Sequence, residues 1–132
     1  MLSDTITSLV ANPTPEAWEF FFETLLSSKL GIVAIGLPAN ASGRIQTQAG
    51  VQCAMTSRGD KRLLLSCADP LLFRERYADQ GFNADLDARA AFSIVLANPE
   101  CDGLLVNSAA SAHSVPITRA QITALDARKP GP

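Results

Sequence analysis

The stretch "VQCAMTSRGDKRLLLSC", Val51 to Cys67, restricts the fold more than any other part of this chain. Val51, Cys53 and Met55 alternate with Gln52, Ala54 and Thr56, and Leu63, Leu65 and Cys67 alternate with Arg62, Leu64 and Ser66. Period-two alternation puts successive side chains on opposite faces, so both runs are expected as strands. If the two apolar sets share a face, opposed residue numbers have an even sum. A sum of 118 leaves Arg58-Gly59-Asp60 as a three-residue loop. That makes the Arg-Gly-Asp tripeptide turn chemistry. Adhesive use of it would require an extracellular protein, and nothing in the sequence points outside the cell. In this register Cys53 and Cys67 lie on one face, diagonal to each other, a poor geometry for a disulfide.

Helical periodicity surrounds the hairpin. Residues 3–11 read as a short helix capped by Ser3 or Asp4 and stopped by Asn12-Pro13. Thr14-Pro15-Glu16 opens a second helix: Thr14 caps, Pro15 needs no N–H partner at the first position, and Glu16 faces the positive dipole end. Trp18, Phe21, Phe22, Leu25 and Leu26 form one apolar face of this helix, which runs to about Ser28. "GIVAIGLP", Gly31–Pro38, is expected as a buried strand, and Ala39–Gly50 as a polar loop. Asp69-Pro70 predicts a third helix to about Asp79, with Gly81 ending it. Asp85 is expected to cap a fourth, Leu86–Ala97, with a stripe of Leu86, Ala90, Ile94 and Ala97 and with Ala91 and Val95 beside it. A strand at Gly103–Asn107, a small-residue loop Ser108–Ser114 and an extended Val115-Pro116-Ile117 follow. Thr118 caps a last helix to about Arg128. The interleaving predicts one α+β domain over residues 1–132, frayed at 1–3 and 128–132. Its core is a mixed sheet of four to five strands with a central hairpin and helices packed on it.

Composition excludes several functions. There are 11 Lys and Arg against 13 Asp and Glu, without a basic run, so a nucleic-acid partner is not expected. Three cysteines, Cys53, Cys67 and Cys101, and one histidine, His113, lack zinc-ligand spacing. They are expected as free thiols in a cytoplasmic protein. No apolar run is long enough to span a bilayer, and no signal-peptide pattern opens the chain. There is no GxGxxG or phosphate loop, and no cofactor is expected. Charged residues make up 18% against about 25% typically, which implies either apolar surface covered by another chain or a surface rich in Ala, Ser, Thr and Gln.

Three segments, "VQCAMTSRGDKRLLLSCADPLLFRER", "FNADLDARAAFSIVLANPECDGLLVNS" and "VPITRAQITAL", together with the leading "ANPTPEAWEFFFETLLSSKLGIVAI", resemble the SseB-type N-terminal domain of bacteria. The similarity covers about residues 4–126. It implies a hairpin strand leading into a helix, then a helix, a late Gly-apolar-apolar-Asn strand and a short final helix. It also implies a non-enzymatic protein-interaction module with no catalytic residues to carry across. Larger members have a second, C-terminal domain, so this chain is expected to be a stand-alone or excised domain. Where the family often has Asn-Pro after the late strand, this chain has Asn107-Ser108, which predicts a looser Ser108–Ser114 loop.

The expected partner is another protein, met through Asn40–Gly50 and Ser108–Ser114. A homodimer through the sheet edge or the Leu71–Tyr77 helix is also expected. Two alternatives stand beside this reading. One is an immunity or effector-associated protein that blocks a toxin. The other is a small hydrolase or transferase using His113 with Ser108, Ser111, Ser114 or Cys101. No GxSxG elbow accompanies that histidine, and Asp69, Asp85 and Asp87 each have a capping role available.

Overall fold

The computed structural model describes residues 1–35 and 52–128. Among these residues lie helices α1 (Leu2–Ala11), α2 (Pro15–Leu26), α3 (Pro70–Arg76), α4 (Ala88–Ala97) and α5 (Arg119–Asp126). The strands are β1 (Lys29–Ile32), β2 (Ala34–Ile35), β3 (Gln52–Cys53), β4 (Met55–Arg58), β5 (Lys61–Ala68), β6 (Ala84–Asp87), β7 (Gly103–Asn107) and β8 (Ser114–Thr118). The class is α+β, as expected. The sheet is larger than expected, with six strands in the order β6-β1-β5-β7-β8 and β4 paired to β5, plus a two-stranded β2–β3 ribbon. Among the described residues the β5–β7 pair is parallel and the other pairs are antiparallel. The expected Ala39–Gly50 loop, the far end of the Gly31–Pro38 strand and the tail beyond Arg128 lie outside the described residues.

The two faces of the sheet are unequal. Ladder partners Leu64, Leu104 and Ile117, then Val106 with Val115, Leu30 with Ala68 and Leu86, and Ile32 with Ala84 all join one large core. Helices α1, α2, α4 and α5 cover it with Leu2, Ile6, Phe21, Leu25, Phe92, Val95, Ile122 and Leu125. Each such side chain removed from water contributes about 1.5–3 kcal/mol. The opposite face carries Gly31, Leu63, Leu65, Cys67 and Leu105. At one end α3 and the following 3-10 turn, Ala78–Gln80, place Phe73, Tyr77 and Phe82 against it.

Local sequence accounts for much of this. Thr14 accepts from the Ala17 N–H at 3.1 Å, with Pro15 next. Thr118 and Gln121 form a capping box at α5, which satisfies the free donors of the first turn reciprocally. Strand β7 has the expected bounds, Gly103–Asn107.

Five expectations need correction. In the hairpin, Arg58 opposes Lys61, so the sum is 119 and the turn is Gly59-Asp60, with Gly59 at φ 64°. An odd sum is tolerated because both faces of β5 are buried: Leu64 enters the large core, while Leu65 and Cys67 join the small one. Cys53 packs against the large core, so it and Cys67 lie on opposite faces. Residues 84–87 form strand β6, and α4 begins at Ala88 behind Asp87, not Asp85. Its buried residues are Ala88, Ala91, Phe92 and Val95, of which Ala91 and Val95 were expected beside the stripe. Asp69 does not cap α3 through its side chain. It sits left-handed at φ 48°, and its Oδ2 accepts from the Ser3 N–H at 2.9 Å. Helix α3 stops at Arg76, short of Asp79. Neither Ser3 nor Asp4 caps α1, and residues 1–3 are not frayed: Leu2 and Ser3 are buried inside the helix.

Candidate functional site

The lightly covered sheet face carries two clefts side by side. The first, about 430 Å³, has Leu65 and Leu105 as its floor. Phe73, Tyr77 and Phe82 form one wall, with Phe73 4.8 Å from Tyr77 and 4.9 Å from Phe82 between ring centroids. The other wall is the loop Ser108, Ser111, Ala112 and His113, and Thr56, Gln80 and Asn107 complete the rim. Among the described lining residues there is no Asp, Glu, Lys or Arg.

The second cleft, also about 430 Å³, adjoins the first at the hairpin end. Arg58, Lys61, Leu63, Asp102, Pro116 and Arg119 line it. Arg58 links the two, because its guanidinium donates to Ser114 Oγ at 3.1 Å. In a flat sheet β4 and β8 would be roughly 14 Å apart, three strand spacings. The contact therefore shows that the sheet coils and makes this face concave. The Arg-Gly-Asp tripeptide thus has its Gly and Asp in the turn and its Arg side chain folded back over the sheet.

The candidate catalytic residues are not assembled into a relay. His113 is exposed; its N–H donates to Ser111 Oγ at 3.3 Å, and its carbonyl accepts from the Ser108 N–H at 2.9 Å. Ser108 Oγ accepts from the Ala110 N–H at 3.0 Å. Both hydroxyls are engaged with loop backbone. Cys101 precedes β7 and His113 follows it, so the five-residue strand separates them by roughly 13 Å. Cys101 is buried, with Sγ 3.2 Å from the Gly103 carbonyl. Cys67 lies at the loop end of β5, opposite Asn107, but burial pushes its thiol up to about 12. A thiol held protonated is not a nucleophile at neutral pH. Asp85 is paired bidentately with Arg74, at 2.6 and 3.1 Å. Among the described residues no group of three His, Cys, Asp or Glu side chains converges as a metal site would require.

The loop Ser108–Ser114, expected as a contact region, supplies one wall of the first cleft. The sequence did not single out Thr56, Leu65, Phe73, Phe82 or Leu105 as partners of that loop. The Phe73 and Tyr77 spacing of four marks one helix face, but nothing local shows which sheet face it will meet. Among the described residues no helix is long and apolar enough to cross a membrane. No family model, no curated protein and no solved structure matches this chain.

Proposed function

We propose that the protein is a non-enzymatic interaction module of the SseB-like kind, which receives a segment of another protein on the concave face of its sheet. The observation that carries this reading is the unequal cover of the sheet. Among the described residues four helices bury one face, whereas α3 shields one end of the other and leaves adjoining clefts floored by Leu63, Leu65 and Leu105. Apolar floors with a polar rim are the usual composition of a recognition site. The raised Cys67 thiol and the engaged loop hydroxyls favour binding over covalent chemistry. A cytoplasmic setting agrees with three free cysteines, two of them buried.

The test is affinity capture of the tagged protein from an extract of its source organism, beside an Ala112→Arg variant. Ala112 is exposed on the cleft wall, so the variant fills the cleft without disturbing the core. A stoichiometric partner lost in the variant is the expected result; no partner with either protein would sink the reading. One observation favours a hydrolase or transferase instead: His113 lines the cleft with Ser108 and Ser111. In that case His113→Ala abolishes turnover, whereas a binding module retains its partner.

Self-association belongs to the same proposal. Leu71 on α3 is 75% exposed and Met1 67%, and they line a third hollow of about 440 Å³ with Pro70 and Leu72. A homodimer through this patch predicts that Leu71→Asp yields a monomer by light scattering at tens of micromolar. A wild-type monomer under the same conditions removes the dimer.

A further inference from the structure

We infer that the hairpin-end cleft docks an acidic segment of the protein partner, one that also carries an apolar side chain. The inference rests on the interaction-module reading and adds the chemistry of what is bound. Arg58 and Lys61 are an opposed pair on β4 and β5, so they project on the same side of the sheet as Leu63, two residues further along. Both are exposed on the rim, above a floor of Leu63 and Pro116. Among the described residues neither makes an ion pair, and the four bridges present involve the amino terminus, Lys29, Arg74 and Arg128. Among the described residues the Arg58 guanidinium is held by the neutral hydroxyl of Ser114 alone.

The other charges of the lining are committed. Asp102 Oδ2 accepts from the Arg62 N–H at 2.9 Å. The Arg119 guanidinium donates to the carbonyls of Val95, Leu96, Asn98 and Cys101 at 2.8–3.2 Å. The chain as a whole carries more acids than bases, 13 against 11, but this cleft is lined by three bases and one acid. A cationic rim attracts and orients acidic partners. The apolar floor below the rim calls for an apolar side chain on the same segment.

The chain has such a surface of its own. Phe20 is 61% exposed on α2, between the exposed Glu16, Glu19 and Glu23. That helix packs on the opposite face of the sheet. Copies joined through it would add head to tail and would not close a two-fold pair. The proposed occupant is a different protein, and head-to-tail addition of copies is the outcome that the test separates from it.

The test uses the whole chain and a fluorescein-labelled synthetic peptide in which Glu and Ser residues flank one central Phe. The comparison peptides carry Lys in place of Glu, or Ala in place of Phe. The acidic peptide is expected to bind and to weaken at least about tenfold between about 50 and about 500 mM salt. It is expected to lose at least about tenfold in affinity with Arg58→Glu/Lys61→Glu, whose melting temperature stays that of the parent. Amide shifts should concentrate at residues 58–63 and 117–120. Four results overturn the inference: no binding at about 1 mM, equal binding of the Lys peptide, unchanged affinity of the double variant, or shifts confined to the Tyr77–His113 cleft. Filament growth at micromolar concentration, abolished by Phe20→Ala, also overturns it in favour of a second copy. A partner captured from the extract equally by parent and double variant refutes the acidic-segment inference while leaving the interaction module standing.

Discussion

Gly31→Ala tests the packing beneath the α3 end of the open face. Gly31 lies in β1 between Cys67 of β5 and Asp85 of β6. An added methyl would sit 2.6 Å from Cys67 Sγ and 3.2 Å from Pro70 Cβ. Non-bonded heavy atoms settle at about 3.5–4.0 Å, so the overlap with sulfur approaches about 1 Å. Cys67 is fully buried in the small core with Phe73 and Phe82, so it cannot swing into solvent. Replacing Gly by Ala in a strand favours folding by roughly 0.5–1 kcal/mol, but overpacking costs about 1–3 kcal/mol. The expected net loss is on the order of 1–2 kcal/mol. Cys67→Ala should destabilise alone by about 1–2 kcal/mol, because it leaves a cavity. In the double variant the methyl enters the space the sulfur vacates. The combined loss should then fall short of the sum by at least about 1 kcal/mol. Urea unfolding of the four proteins at neutral pH measures all three quantities. A neutral Gly31→Ala, or a cycle additive within about 0.3 kcal/mol, refutes the contact as described.

Gly103→Ala should behave differently. Its methyl would collide with the backbone carbonyl oxygen of Ile117 and lie 3.2 Å from Leu63 Cδ2. We expect a loss above about 2 kcal/mol that Leu63→Ala fails to rescue, read by denaturant unfolding. Arg119→Met removes a planar donor that closes the carbonyl end of α4; it should cost about 2–4 kcal/mol. Arg119→Lys should restore less than half of that, since a point charge cannot reach all four carbonyls; thermal melts decide it. Cys67 should resist alkylation by iodoacetamide in the folded state at mildly alkaline pH and react in urea. Its folded value of about 12 lies above the ordinary 9.0, so between these pH values the folded state holds the proton and the unfolded state has released it. The stabilisation is whole below pH 9.0 and is lost as pH rises through about 12, by up to about 1.4 kcal/mol per pH unit. Cys67→Val should flatten that decline; an unchanged slope contradicts it.

The sequence was informative where one local device had one outcome. Thr14-Pro15, Thr118 with Gln121, and Gly103-Leu-Leu-Val-Asn107 each specify an element without help from elsewhere. It was ambiguous where burial is two-sided. Leu63, Leu64 and Leu65 are all apolar because β5 lies mid-sheet with packing on both faces, so alternation cannot choose the face or the hairpin register. It misled at Asp85-Leu86-Asp87, where four residues of period two run directly into a helix and the helical pattern extends backwards over them. The aromatic wall of the first cleft was invisible for a different reason. It joins α3 to a loop more than thirty residues on, through a parallel β5–β7 crossover that no local signal reports.

The loop that forms the other wall shows how distant residues can fix a segment that composition describes as loose. Asn107-Ser108 lacks the proline that would set the turn, and the residues that follow are small. Yet Ala109 is fully buried, and its N–H donates to Ser3 Oγ at 2.9 Å. Its carbonyl accepts from Arg76 at the end of α3, at 3.2 Å, and Ser108 and His113 close the loop by a backbone bond. Ser3 is held in turn, because its N–H donates to the carboxylate of left-handed Asp69. The buried first turn of α1 thus ties the end of β5 to the wall of the cleft. A wall fastened in this way loses little further freedom when a partner is seated, which lowers the entropic cost of binding. Ser3→Ala removes one bond and leaves the Ala109 N–H buried without an acceptor, at about 1–3 kcal/mol. The loss should therefore appear in two places: a lower unfolding midpoint, and faster hydrogen exchange at Ala109 and Ala110 than at Leu104. A fall in stability with exchange rising equally at Leu104 would make Ser3 a general core residue and detach α1 from the cleft.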